Sequence, residues 1–364
     1  MSKSKKKEKN PEQKKANLIA AFDPNSPGSG DQIYGLPFDL DTAKVVLLPA
    51  PWEVTVSYQS GTAKGPDAML DASFQVDLYD VEYPELWKAG IWMAPVPEKW
   101  KKNSKRYRKQ ARDYMEWLLE GKPGNDQDYY EKVLQQIHQG CQEFNAWVRA
   151  QVAEYRTSGK LVILLGGDHS TPLGYYQALN DEQQPFGILH LDAHADLRPA
   201  YEDFEFSHAS IMYNALKLPA LTKLVQVGIR DYCDQEARLI SDSGKKIVLF
   251  SDRELKNKLF NGETWAKLCA AIIKELPERV FISIDIDHFD PALCPNTGTP
   301  VPGGNSFEMT TYLLSQLALS GKQVIGADLV EVAPGDGEWD ANVGARLLYK
   351  LIGCLAKSNG LLTS

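Results

Sequence analysis

Two runs of this chain place histidine and aspartate on alternate residues just after an apolar stretch. They are Leu189-His190-Leu191-Asp192-Ala193-His194-Ala195-Asp196 and Phe281-Ile282-Ser283-Ile284-Asp285-Ile286-Asp287. An extended chain turns every second side chain to the same face. Asp192, His194 and, where the alternation outlasts the strand, Asp196 then converge on one spot, and Asp285 with Asp287 on another. If the two spots coincide, four carboxylates crowd together, and like charges at that spacing stay ionised only beside a neutralising cation. Two divalent ions balance them. The chemistry this points to is hydrolysis at a binuclear metal centre, where paired cations lower the pKa of a shared water.

Such residues need rigid elements behind them. Buried apolar runs predict strands over 44–49, 161–165, 186–191, 224–228, 246–250, 280–286 and 323–330. Between them, apolar residues at helical spacing predict a long helix over Tyr129–Gly159, with Gly159 as its C-terminal cap. Shorter helices are expected from Pro66, after Pro172, and from Ser306 to Ser320, the last opened by a capping box of Asn305 and Glu308. The basic stretch Trp100–Gly121 reads as an inserted helix on the rim. Strands alternating with helices imply an α/β fold, a mostly parallel sheet covered on both faces in one three-layer α/β/α domain. Ligands bind beyond the carboxyl ends of such strands. His169 in Gly166-Gly167-Asp168-His169-Ser170, the two aspartate runs and Glu331 all fall there. Of the other histidines, His138 reads as a surface or packing residue and His190 as packing or support behind the ligands. His288 is open.

The bulk composition excludes other classes. The 364 residues are 43% hydrophobic and carry a net charge of −8, which argues against nucleic acid as a partner. No apolar run approaches the roughly 20 residues that span a bilayer. The lysine-rich start lacks the apolar core of an export signal, so a cytoplasmic protein is expected. Cys141, Cys233, Cys269, Cys294 and Cys354 are scattered without a Cys-x-x-Cys pair and read as reduced thiols. Residues 1–15 are too polar to fold alone. The chain divides into a polar, partly disordered extension over 1–40 and a catalytic domain over 41–364.

Three motifs in order, Gly166 to Ser170, Asp192 to Asp196, and Ser283 to Asp287 continuing through Asp290-Pro291 to Thr297-Gly298-Thr299-Pro300, resemble those of the ureohydrolases. These are the arginases, agmatinases and related enzymes that cleave guanidino groups to release urea. The resemblance runs from Val45 to the C-terminus. It implies an arginase-like fold, a trimer or hexamer, and a site for two Mn2+ or Ni2+ ions. Carried over, one ion takes His169, Asp192, Asp196 and Asp285, and the other takes Asp192, His194, Asp285 and Asp287, with Asp192 and Asp285 bridging. A nitrogen and oxygen shell without thiolate suits manganese or nickel. Glu331 matches the glutamate that orients the substrate guanidinium, through two parallel hydrogen bonds. His208 matches a loop histidine that shuttles protons, for which its near-neutral reference pKa is suited.

The expected partner is therefore a small guanidino substrate. Arginases carry an asparagine two residues after the Asp-x-His-x-Asp run, where this chain has Leu197-Arg198, so arginine is disfavoured. Arg198 could hold the carboxylate of a guanidino acid or of formimidoylglutamate, or it could be a structural ion-pair partner. Residues 22–38 and 51–58 resemble the agmatinase-like branch, which includes hydrolases of free guanidine. Trp339 could close the pocket over a small substrate or simply pack. Two other classes remain. A deacylase of the same fold uses one zinc and fewer ligands. An inactive scaffold is expected to have lost a ligand, whereas all six positions are filled here.

Overall fold

The computed structural model describes residues 10–362. Its strands are β1 (Val45–Ala50), β2 (Ile91–Met93), β3 (Leu161–Gly166), β4 (Phe186–Leu191), β5 (Leu221–Val227), β6 (Ile247–Phe250), β7 (Arg279–Asp285) and β8 (Gln323–Val330). They form one sheet in the order β2-β1-β3-β8-β7-β4-β5-β6, and every neighbouring pair is parallel. The helices are α1 (Pro11–Ala21), α2 (Gly65–Ser73), α3 (Glu98–Leu119), α4 (Gln127–Thr157), α5 (Leu173–Asp181), α6 (Ile211–Leu216), α7 (Asp234–Asp242), α8 (Asp252–Phe260), α9 (Trp265–Glu275), α10 (Phe307–Leu319) and α11 (Trp339–Ser358).

Strand alternation separates two cores. Val45 and Leu47 of β1, with Ile163 and Leu165 of β3, pack under α1, α2 and α8 to α11. Val46, Leu48, Val162 and Leu164 face the other way, under α3 to α7. Both sheet faces are therefore covered. This is why the strands read as continuous apolar runs instead of alternating ones.

The expected strands and the long helix are present, with a few differences. β2 is an edge strand of three residues, too short to show a period. The cap of α10 is Ser306, whose Oγ accepts from Met309 N at 3.2 Å. Asn305 instead spends its backbone on His288 and Asp290. The polar extension is helical from Pro11. Its composition fails alone, but Leu18, Ile19 and Phe22 dock on a core that already exists. Lys15 Nζ then donates to Ala89 O at 2.6 Å and Lys14 pairs with Asp39. Of the extension expected to be partly disordered over 1–40, residues 1–9 lie outside the described residues. No helix among the described residues is long and apolar enough to cross a membrane.

Candidate metal centre

β3, β8, β7 and β4 lie side by side in the middle of the sheet, so their carboxyl ends share one edge. His169 follows β3, Glu331 is the first residue after β8, Asp285 ends β7, and Asp192 is the first residue after β4. Gly167 makes the first of these turns possible. A Cβ there would stand 1.9 Å from Trp52 O, the carbonyl that receives Asp168 N. The alternation does not carry Asp196, because β4 stops at Leu191. A left-handed backbone at Asp196 (φ 55°) returns it to the site, and Glu331 (φ 62°) has the same conformation. Non-glycine residues held there cost on the order of 1 kcal/mol or more, and such residues concentrate at functional sites.

The structure brings together all six residues expected to bind metal. His169 Nδ1 stands 3.0 Å from Asp192 Oδ2, 3.2 Å from Asp196 Oδ2 and 3.3 Å from Asp285 Oδ2. His194 Nδ1 is 2.9 Å from Asp287 Oδ2 and 3.5 Å from Asp192 Oδ1. Two groups of close donor atoms share Asp192: His169, His190, Asp192 and Asp196 form one, and Asp192, His194 and Asp287 the other. Asp285, expected to bridge, is in neither and approaches the first through His169. The two aspartate runs fold alike. Asp192 Oδ1 accepts from His194 N at 2.6 Å, and Asp285 Oδ1 accepts from Asp287 N at 2.9 Å. Each turn thus fixes one carboxylate oxygen and leaves the other aimed at His169.

Hydrogen-bond direction shows what His169 presents. Asp328 Oδ1 accepts from Ile284 N at 3.2 Å and from Ser283 Oγ at 3.0 Å. With its proton spent on Asp328, the Ser283 hydroxyl accepts from His169 Nε2 at 2.9 Å. Tyr176 OH donates to the same pair, at 3.1 Å from each. Nε2 therefore carries the proton, and Nδ1 turns a lone pair on three carboxylates with no hydrogen-bond partner of its own. A buried acceptor facing acceptors is satisfied by a cation. His190 works in the opposite sense. Gln226 Nε2 donates to its Nδ1 at 3.0 Å, so Nε2–H supports Asp192 Oδ2 at 2.8 Å. Sequence reading placed His190 behind the ligands but missed Tyr176, Ser283, Gln226 and Asp328. Only Ser283 and Asp328 had a signal, since they lie inside the motifs.

The same crowding shifts the carboxyl pKa values. Burial, then Asp192, raises the Asp196 carboxyl to about 7. Burial, then Asp287 and Asp192, holds Asp285 well above the usual range. Asp192 goes the other way: burial resists, but the charge and the hydrogen bond of His190 hold it well below. Divalent ions fit this donor set. Saturating them at a hundredfold excess over Kd adds about 2.7 kcal/mol of stability. Stripping the metal with a chelator is thus expected to lower the thermal midpoint by about 5 °C, restored by Mn2+ or Ni2+. A midpoint indifferent to chelator and metal would exclude the centre.

Beside the centre lies a cavity of about 400 Å³, lined by Ser57, Tyr58, Gln59, His194, Asp196, Arg198, Tyr201, His208, Asp231 and Glu236 among others. Glu331 is buried, with Oε1 accepting from His169 N at 2.9 Å and Oε2 unpartnered. His208 Nδ1 is 3.8 Å from Glu331 Oε1, and its Nε2 is 3.3 Å from Ser57 Oγ. Burial, then His194 and His169, depresses the His208 pKa to about 3. The near-neutral value expected from its type is therefore replaced by a neutral imidazole. Arg198 lines the cavity with its guanidinium 4.9 Å over the Tyr201 ring and Nε 3.8 Å from Glu236 Oε2. Trp339 is not among the cavity's lining residues. It is 51% exposed at the start of α11, with its indole N–H on Ala292 O at 2.9 Å, because the turn after Glu331 carries it away from the mouth. His138 accepts from Glu205 N at 3.1 Å, and His288 bridges Asp285 O and Thr310.

The arginase family matches residues 43–354, so the paired His/Asp clusters and parallel sheet are those of a metal-dependent ureohydrolase. The chain belongs to the arginase family. It is 31% identical over 330 residues to the N(1)-aminopropylagmatine ureohydrolase of Thermus thermophilus, covering 89% of this chain and 94% of that one. It is 28% identical to the agmatinase of Halalkalibacterium halodurans, with 81% and 85% covered. The agmatine ureohydrolase of Thermoplasma volcanium has a similar fold, with a TM-score of 0.68 at 23% identity, over 94% of this chain and 98% of that one.

Proposed function

We propose that this chain hydrolyses an extended guanidino compound with a cationic tail, agmatine or N(1)-aminopropylagmatine, to urea and the free amine. The observation that carries this reading is Asp231. It lines the cavity next to His194, is exposed, and makes no side-chain hydrogen bond among the described residues. A cavity of about 400 Å³ is also larger than free guanidine needs. The names of the similar proteins agree with this substrate class.

His169, Asp192, His194, Asp196, Asp285 and Asp287 would hold divalent ions, which would supply a water acidic enough to attack near neutral pH. Manganese or nickel suits the nitrogen and oxygen donors. Glu331 accepts the guanidinium on its unpartnered oxygen and holds the central carbon over the centre. Water adds to that carbon, the C–N bond to the tail breaks, and the leaving nitrogen takes a proton. His208, neutral between Ser57 and Glu331, accepts at one ring nitrogen and donates at the other, so it relays that proton without resting as a cation. A cytoplasmic homo-oligomer, trimer or hexamer, belongs to the same proposal. Five free cysteines support the reducing compartment.

The test is a panel of agmatine, N(1)-aminopropylagmatine, guanidine, guanidinobutyrate, arginine and formimidoylglutamate with Mn2+ or Ni2+. Cationic tails are expected to lead guanidinobutyrate by about tenfold or more in kcat/KM, a difference of ~1.4 kcal/mol. Asp231→Asn should remove that preference and leave guanidine turnover unchanged. The position of Arg198 on the cavity wall favours one second reading, an acid-tailed substrate of the formimidoylglutamate type. Preference for an anionic tail would establish it. Turnover of none of the panel would favour the inactive scaffold.

A further inference from the structure

The cavity has two lips. One is the loop over 53–61, with Ser57, Tyr58 and Gln59; the other runs over 198–208, with Arg198, Tyr201 and His208. They meet where Ser57 Oγ stands 3.3 Å from His208 Nε2. Both lean on one face of α3. Ser104 Oγ accepts from Glu53 N at 3.1 Å. Arg108 Nε donates to Ser60 Oγ at 3.1 Å, and Nη1 donates to Val56 O and, at 3.5 Å, to Val54 O. Further along, Tyr114 OH donates to Asp203 Oδ2 at 2.8 Å in the second lip. Residues 104, 108, 111 and 114 recur at helical spacing, so a single rigid element touches both sides of the mouth.

Arg108 is the unusual member. Its donors go to a hydroxyl and two carbonyls, and none goes to a carboxylate. Half-burying a guanidinium without an ion pair costs stability, and an apolar side chain would pack there at less expense. What the charge secures is the backbone of the first lip. The root of that lip is already fixed, because Trp52 stacks on Phe144 at 4.5 Å and meets Trp100 edge-on at 6.1 Å. Glu53 Oε2 closes the far end by accepting from Gly61 N at 2.7 Å and Ala63 N at 2.9 Å. Residues 54–60 hold the lining side chains; Arg108 ties them to α3 at Val54, Val56 and Ser60, beside the bonds of Thr55 Oγ1 to Phe206 O and of Gln59 N to Gly298 O.

We infer that α3 is a clamp across the mouth of the cavity, in which Arg108 and Tyr114 are positioning residues that set the gap between the two lips and thereby substrate affinity. The inference rests on the cavity being the substrate site proposed above.

The test compares Arg108→Met, Arg108→Lys and Tyr114→Phe in the metal-loaded full chain by hydrogen exchange, metal content and kinetics. In Arg108→Met, amide exchange over 53–63 should speed up about tenfold, with Gln59 (bonded to Gly298 O) and Gly61 as reporters. Exchange over β7 and metal content should be unchanged. KM should rise about tenfold, with kcat within about threefold. Arg108→Lys, which reaches one carbonyl, should fall between. Tyr114→Phe removes only a hydroxyl and should speed exchange over 199–207; it carries the test if Arg108→Met also loosens β7. Unchanged exchange in both lips overturns the clamp, and faster exchange with unchanged KM overturns its role in affinity. If no guanidino compound is turned over, the substrate proposal fails on its own while exchange still decides the clamp.

Discussion

Asp285→Asn is expected to push the protein in opposite directions with and without metal. In the loaded enzyme it should abolish nearly all turnover, by about a thousandfold or more, equivalent to ~4 kcal/mol. It should also lower metal content, because Asp285 Oδ2 faces the same point as Asp192 and Asp196, beside His169 Nδ1. The amide keeps the turn, since an asparagine Oδ1 still accepts from Asp287 N. In the stripped protein the sign reverses. Burial and the charges of Asp287 and Asp192 hold the Asp285 carboxyl well above its ordinary value. An acid with a raised folded pKa costs nothing when protonated and costs stability as pH rises above about 4, its unfolded value. Metal-free wild type should therefore lose stability from mildly acidic to neutral pH, and metal-free Asp285→Asn should lose less. Denaturant titrations of both forms at pH 5 and pH 8, with metal analysis, read this directly. Retained activity in the variant would remove Asp285 from the centre.

Glu331→Gln should lower kcat/KM by a hundredfold to a thousandfold while leaving metal content intact. Its Oε1 is already engaged by His169 N, and Oε2 is buried with nothing to bind. Burial, then Asp168, holds this carboxyl well above its ordinary value, so ionisation waits for an opposite charge. A guanidinium provides that charge together with two parallel donors. The amide would set its own N–H against them, and breaking a buried charged pair of this kind costs about 2–5 kcal/mol. The loss should appear with every guanidino substrate, unlike that of Asp231→Asn, which should follow the tail. Turnover within tenfold of wild type would show that Glu331 does not hold the guanidinium.

Much of this was written into the order of residues. Alternating His and Asp after apolar runs marked both halves of the centre. The same runs marked a parallel sheet, because strands buried on both faces are apolar throughout. Strand ends carrying Asp192, Asp285 and Glu331 follow from period and motif alone, since both are local properties of the chain.

What only the tertiary structure decided is everything that depends on which strands are neighbours. β3, β8, β7 and β4 are adjacent although the chain visits them far apart, and that adjacency makes two clusters into one centre sharing Asp192. It also sets Tyr176, Ser283 and Asp328 behind His169 and so fixes which nitrogen faces the three carboxylates. The depressed His208, the outward Trp339 and the docked α1 belong with these, because burial and partners are supplied by distant segments. Spacing along a chain specifies which side chains point together over a few residues; only packing specifies what they meet.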